Sequence, residues 1–153
     1  MSSNFSTAVY NGMFNNTGLK TMFANGVIKI YSGSRPANAD NAVTGTLLCT
    51  ITLAGGAFTP GSPTNGINFD TPVLRVLSKA AAETWSGIAV ATDTAGWARF
   101  SGNAADSGGS STTLPRIDMT VGVTTGDLKL ATVSLVTGAP VVVQSMVYTG
   151  VTP

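Results

Sequence analysis

The sequence contains no histidine and a single cysteine, Cys49, in 153 residues. Without histidine there is no Ser-His-Asp or Cys-His nucleophilic centre and no histidine-based zinc or iron site. One cysteine excludes a multi-cysteine cluster and an internal disulfide. Its place in an alternating apolar run predicts a buried, inert thiol; the alternative, an intermolecular bridge, would need the thiol on an exposed face. Charge is also scarce, at 10% of residues with a formal net charge of +1, where soluble domains usually carry about 25%. No single-sign field exists to attract nucleic acid, and none is expected as a partner. No apolar run approaches the roughly 18 residues of a membrane span, and no basic segment precedes an apolar one near the N-terminus. The expectation is a chain complete as it stands, made in the cytoplasm, without export signal or membrane partner.

The acid-base candidates left are Asp40, Asp70, Asp93, Asp106, Asp118, Asp127 and Glu83. Most stand in predicted turns or loops, where aspartate caps backbone N–H groups. Asp118 lies between Ile117 and Met119 on a predicted strand and shares a face with Arg116, so it reads as half of a surface or interface ion pair, not as a general base. No loop collects enough carboxylates for calcium. No phosphate cradle is present either: GxxxxGK[ST] is absent, and Gly108-Gly109 has no helix after it. The expectation is no catalytic residue, no cofactor and no metal.

What the chain does have is alternation. Residues 27–32 and 46–53 flank a loop of Gly, Pro, Asn, Asp and Ala. In the second run Leu47, Cys49, Ile51 and Leu53 fall on one face and Leu48, Thr50 and Thr52 on the other, the pattern of a half-buried strand. Further strands are predicted over residues 73–77, 84–91, 96–102, 114–121, 127–130, 132–136 and 141–148, with a helical turn at 79–83. The turn sequence Asp93-Thr94-Ala95-Gly96 makes 84–91 and 96–102 a hairpin, its arms carrying Trp85 and Trp97 as a cross-strand or core pair. In the last strand Val142, Gln144, Met146 and Tyr148 oppose Val141, Val143, Ser145 and Val147. Both faces are largely apolar, as in a central or partner-covered strand.

Before the strands, Phe5, Val9 and Met13, then Leu19, Met22 and Phe23, are spaced by threes and fours. They predict a helix over 6–14 with Ser6 or Asn4 as its cap, a break at 15–18 and a helical stub before Gly26. The chain therefore divides into an N-terminal helix or arm, 1–26, and a β domain, 27–153, within one domain overall. About eight short strands with regular turn signals point to an all-β fold, an antiparallel β-sandwich or jelly-roll-like barrel. A chain of this length buries roughly 68–70% of its unfolded surface.

Three loops are long. Residues 33–45 hold Arg35 and Asp40, read as a local ion pair or as a contact site. Residues 55–66 are rich in Gly and Pro and carry one large apolar group, Phe58, which pins the loop to the core or anchors a partner. Residues 103–113 are small and polar and read as an exposed loop.

Ile30, Tyr31, Gly33, Pro36, Ala39, Asp40, Ala42, Gly45, Thr46, Leu47 and Leu48 form the pattern I-Y-x-G-x-x-P-x-x-A-D-x-A-x-x-G-T-L-L. It resembles that of small β-rich virion structural proteins of tailed bacteriophages, some of them capsid decoration (cement) proteins. The likeness extends to the C-terminal TTGDLKLATVSLVTGAPVVVQSMVYTG, similar to a G-x-D-L-x-L-x-x-x-x-[IL]-x-x-G-x-x-V segment of the same proteins. The resemblance implies a non-enzymatic protein on the capsid surface of a virion, made in the host cytoplasm, with the major capsid protein as partner.

Low charge in a β-rich chain independently implies apolar surface covered by other subunits, and a homo-oligomer, dimer or trimer. The expected means are apolar burial and edge-strand pairing. The candidate contact residues are Phe5, Tyr10 and Phe14 in the arm, Arg35 and Asp40 in the first loop and Phe58 in the second. A tail, neck or fibre-associated protein is the runner-up. A carbohydrate-binding module with a Trp85–Trp97 platform is a third reading, one that fails if both tryptophans are buried, and a glycan-hydrolysing enzyme dependent on Asp118 is a distant last.

Overall fold

Helix α1 (Thr7–Phe14) starts where a serine can cap it: the Val9 amide donates to the Ser6 hydroxyl at 3.4 Å, as a serine N-cap should. The structure, a computed structural model, describes residues 3–149. The helix ends at Asn15, Asn16 adopts φ 63°, and one further turn, α2 (Leu19–Met22), follows. This matches the expected helix, break and stub. A short strand ahead of it, β1 (Asn4–Phe5), has no periodic signature of its own and forms by pairing with a strand more than a hundred residues later.

The remaining strands are β2 (Val27–Ser32), β3 (Leu47–Leu53), β4 (Val76–Ser78), β5 (Trp85–Ile88), β6 (Asp93–Ser101), β7 (Arg116–Gly122), β8 (Leu128–Leu130), β9 (Ser134–Leu135) and β10 (Pro140–Thr149). Seven of them close a barrel in the order β7-β8-β10-β5-β3-β2-β6, with β6 returning to β7. The fold is all-β, and of the two arrangements expected, sandwich and barrel, the chain adopts the barrel. Its pairings are antiparallel except β7 with β8, which run parallel at Val121↔Leu128 and Gly122↔Lys129. β1, β4 and β9 attach to the wall at β7, β10 and β6. Closure removes the long open edges that strand addition needs.

The inward-facing residues include Ile28, Ile30, Ile51, Phe100, Met119 and Val143, and helix residue Val9 joins them. At the centre Phe100 meets Phe23, Phe69 and Trp85 with ring centroids 5.0, 5.2 and 5.7 Å away, tilted or edge-on. Such pairs contribute about 0.5–1.5 kcal/mol each beyond the area they bury. Cys49 lies in this core, fully buried, and burial pushes its thiol pKa up to about 11.

Two expectations are corrected. The 84–91 and 96–102 hairpin does not form: β5 pairs with β3 and β10, whereas β6 pairs with β2, β7 and β9. Asp93-Thr94-Ala95-Gly96 is the start of β6 and not a turn. Its glycine serves close approach, since a Cβ on Gly96 would lie 2.0 Å from the Gly33 carbonyl oxygen. In β10 a bulge between Val143 and Ser145 shifts the phase against β8. Met146 therefore joins Val141 and Val143 in the core, and Val142 and Val147 are exposed.

Candidate functional site

The outer face of β6 and β7 is not wet. Ala98 and Phe100 point into the barrel, so Arg99 between them points out, and Asp118 directly opposite on β7 does the same. Arg99 donates to the Asp118 carboxylate through Nε at 2.6 Å and Nη2 at 2.8 Å, and the two side chains are 2% and 0% exposed. One turn of the pleat away, Arg116 makes the same two-pronged contact with Asp106, at 2.7 and 2.6 Å. The single pair expected between Arg116 and Asp118 is thus replaced by two pairs, both buried.

Loops 33–45 and 103–114 cover these pairs. Arg99 Nη2 donates to the Asn41 carbonyl at 3.0 Å and Arg116 Nη1 to the Ala39 carbonyl at 3.4 Å. The loops hold each other through Val43 N–H to the Gly108 carbonyl and Ser111 N–H to the Asp40 carbonyl, both 2.8 Å. Asp106 also accepts from the Ser101 hydroxyl and the Gly108 amide. Under the same cover Trp97 stacks on Tyr31 with centroids 4.8 Å apart, and the Arg99 guanidinium lies 5.5 Å from the Trp97 ring. That cation–π contact partly offsets the cost of Arg99 Nη1, which has no hydrogen-bond acceptor.

The two carboxylates respond oppositely. Burial pushes the Asp118 carboxyl above its ordinary range, against the pull of the Arg99 hydrogen bonds and charge. Burial works to raise Asp106 as well, but hydrogen bonds from Arg116, Gly108 and Ser101 and the Arg116 charge outweigh it and hold Asp106 low.

The other carboxylates hold backbone or side-chain donors. Asp70 accepts from the Ala81 amide, Asp93 from the Thr94 amide, Asp127 from Thr120, and Glu83 from the Asn68 amide and the Trp85 indole. Among the described residues no three His, Cys, Asp or Glu side chains are grouped to hold a metal ion, and no helix is long and apolar enough to cross a membrane.

The six expected contact residues do not gather at one place. Asp40 does not pair with Arg35: its carboxylate takes the Thr7 amide at 2.8 Å and the Thr7 hydroxyl at 2.5 Å, capping α1, while Arg35 donates to the Asp118 carbonyl at 3.2 Å. Phe5 is half-buried between Tyr10 and Tyr148, with centroids 5.9 and 5.2 Å away. Phe58 is half-buried and stands outside the barrel core. Tyr10 and Phe14 are open, Phe14 at 84%. Trp85 and Trp97 are fully buried, one inside the wall and one outside it under the loops, so they form no platform for a sugar.

Two apolar surfaces lie apart from the six expected contact residues, the second on the strand whose two faces both read as apolar. The first is a groove of about 440 Å³ between the helical turns and the stem of a β-hairpin, lined by Met13, Leu19, Lys20, Pro72 and Leu77. The hairpin closes through reciprocal hydrogen bonds between Val73 and Val76, with Leu74 and Arg75 at its tip at φ 48° and 66°. Leu74 is 89% exposed. Two consecutive left-handed residues usually call for Asn-Gly, and with leucine and arginine instead each is strained by about 1–3 kcal/mol. The absence of Asn and Gly is why residues 73–77 read as one strand. The second surface lies on the outer faces of β5 and β10, where Ile88 and Val142 are exposed with Val90 beside them.

Compared with protein families, curated proteins and solved structures, the chain matches none.

Proposed function

We propose that this chain is a non-enzymatic structural protein of a tailed-phage virion, a capsid decoration protein that binds the major capsid shell and works by adhesion. The observation that carries the reading is the inversion of the usual surface. Of eight basic and seven acidic side chains, only Lys20, Asp70, Arg75 and Asp93 are exposed, while eleven large apolar side chains are exposed among the described residues. A surface this poor in charge favours coverage by other subunits over life as a free monomer. The engagement of the carboxylates in structural hydrogen bonds, and the sequence resemblance, support the same reading. Because the barrel is closed, the contacts are apolar burial and not strand addition, repeated over many copies.

Mass spectrometry and electron microscopy of purified particles test this. Many copies spread over the head support decoration. A ring at the neck or tail supports the runner-up, an accessory protein of the tail, and absence from the particle overturns both.

A further inference from the structure

The groove beside α2 carries a sign as well as an apolar floor. Lys20 lines it and reaches across to the Thr71 hydroxyl at 3.0 Å, a neutral partner that leaves its charge uncompensated. Arg75, at the tip of the hairpin whose stem forms the opposite wall, is exposed and makes no hydrogen bond or ion pair among the described residues. One exposed acid, Asp70, adjoins Thr71 and accepts from the Ala81 amide at 2.9 Å; it keeps its charge, so two cations stand against one carboxylate here. Met13, Leu19, Pro72 and Leu77 supply the apolar lining, with Leu74 standing clear of the surface beyond it.

From this charge arrangement we infer that the groove is the docking site for an acidic segment of a different protein, one that inserts an apolar side chain between carboxylates. The inference rests on the proposed adhesive role and names the chemistry of the partner's contact. An apolar anchor fills the groove, and flanking carboxylates meet Lys20 and Arg75, an arrangement that fixes register and excludes wrong partners. A second copy of this chain is the poorer occupant. A twofold contact through the same face would bring Lys20 and Arg75 of one copy towards the same cations of the other, with one carboxylate per copy, Asp70, to offset two cations.

Anilinonaphthalene sulfonate is a suitable probe because it joins an apolar body to an anion, and Nile red is its neutral counterpart. The expected result is saturable binding of the sulfonate dye, with NMR methyl shifts centred on Met13, Leu19 and Leu77. The exposed double variant Lys20→Glu/Arg75→Glu should weaken it about tenfold, leaving Nile red binding and the thermal midpoint unchanged. Equal loss of both dyes would show that charge plays no part and overturn the inference. So would shifts centred on Ile88 and Val142, or a dimer in sedimentation that Leu74→Glu dissolves. Absence of the protein from virions would remove the proposed function while leaving the dye result intact, so the two failures are distinguishable.

Discussion

Arg99 and Asp118 face each other across neighbouring strands with 2.6 Å between Nε and Oδ1, on the outside of a barrel and yet sealed from water. A buried pair of this kind contributes modestly to net stability, but removing one partner strands the other. Asp118→Ala should destabilise the protein by about 3–5 kcal/mol, read from urea denaturation. Replacing both members with apolar residues of similar volume should cost much less, and a double variant as unstable as the single one would contradict this account.

The neighbouring pair sets the acid response. The Asp106 carboxyl is held below its ordinary range, so the stability it contributes is present above the unfolded value of about 3.9 and lost as pH falls through the lower folded value. Asp118 is raised, and its contribution has the opposite sign: it favours the folded state at low pH and fades as pH rises through the folded value. Asp106→Asn should therefore flatten the acid limb of the stability curve and Asp118→Asn steepen it. Denaturation midpoints over a pH series from about 2 to 6 read both slopes.

Cys49 should be silent. With the thiol fully buried and its pKa near 11, Ellman's reagent should label it only after denaturant is added, and non-reducing gels should show no cross-linked dimer.

A methyl group at Gly96 would collide with the Gly33 carbonyl oxygen at 2.0 Å, backbone against backbone. Gly96→Ala should lower stability by about 1–3 kcal/mol, a loss that calorimetry would detect. Gly109→Ala, whose nearest neighbour would be the Ser107 hydroxyl at 3.7 Å, should be nearly neutral.

The tip at Leu74 and Arg75 should behave in reverse. Leu74→Asn with Arg75→Gly supplies the residues that two left-handed positions favour and should raise stability by about 1–2 kcal/mol, visible as a higher thermal midpoint. If the groove binds as inferred, the same variant should bind the sulfonate dye less well, because it loses Arg75.

Much of the wall was readable because its strands follow simple alternation. The bounds of β2 match the expected ones, and β3 differs by one residue. Side-chain chemistry narrows the cap of α1 to Ser6 or Asn4, and Ser6 holds it. Partners were not readable, since a strand's pattern says which face is buried but not what lies alongside. Thus Asp93 to Gly96 has the composition of a turn yet begins β6, and Arg116, which shares a strand face with Asp118, takes its carboxylate from Asp106 in a loop. Burial of Arg99 and Arg116 had no signal either, because their cover comes from two polar loops. The groove has no sequence signal for a related reason: its lining residues are scattered between positions 13 and 77, and only the folded chain assembles them.

Ser6, besides capping α1, clips the arm to a strand more than a hundred residues later: its amide donates to the Arg116 carbonyl and its hydroxyl accepts the Arg116 amide, both at 3.0 Å. During synthesis Asp40 can cap the first helix early, but this clip cannot form until residues near 118 have left the ribosome. The wall cannot shut until β10, the last strand, slots between β5 and β8. Such long-range pairing makes folding slow, and a chain with its arm still loose exposes the apolar surface on which chaperones act.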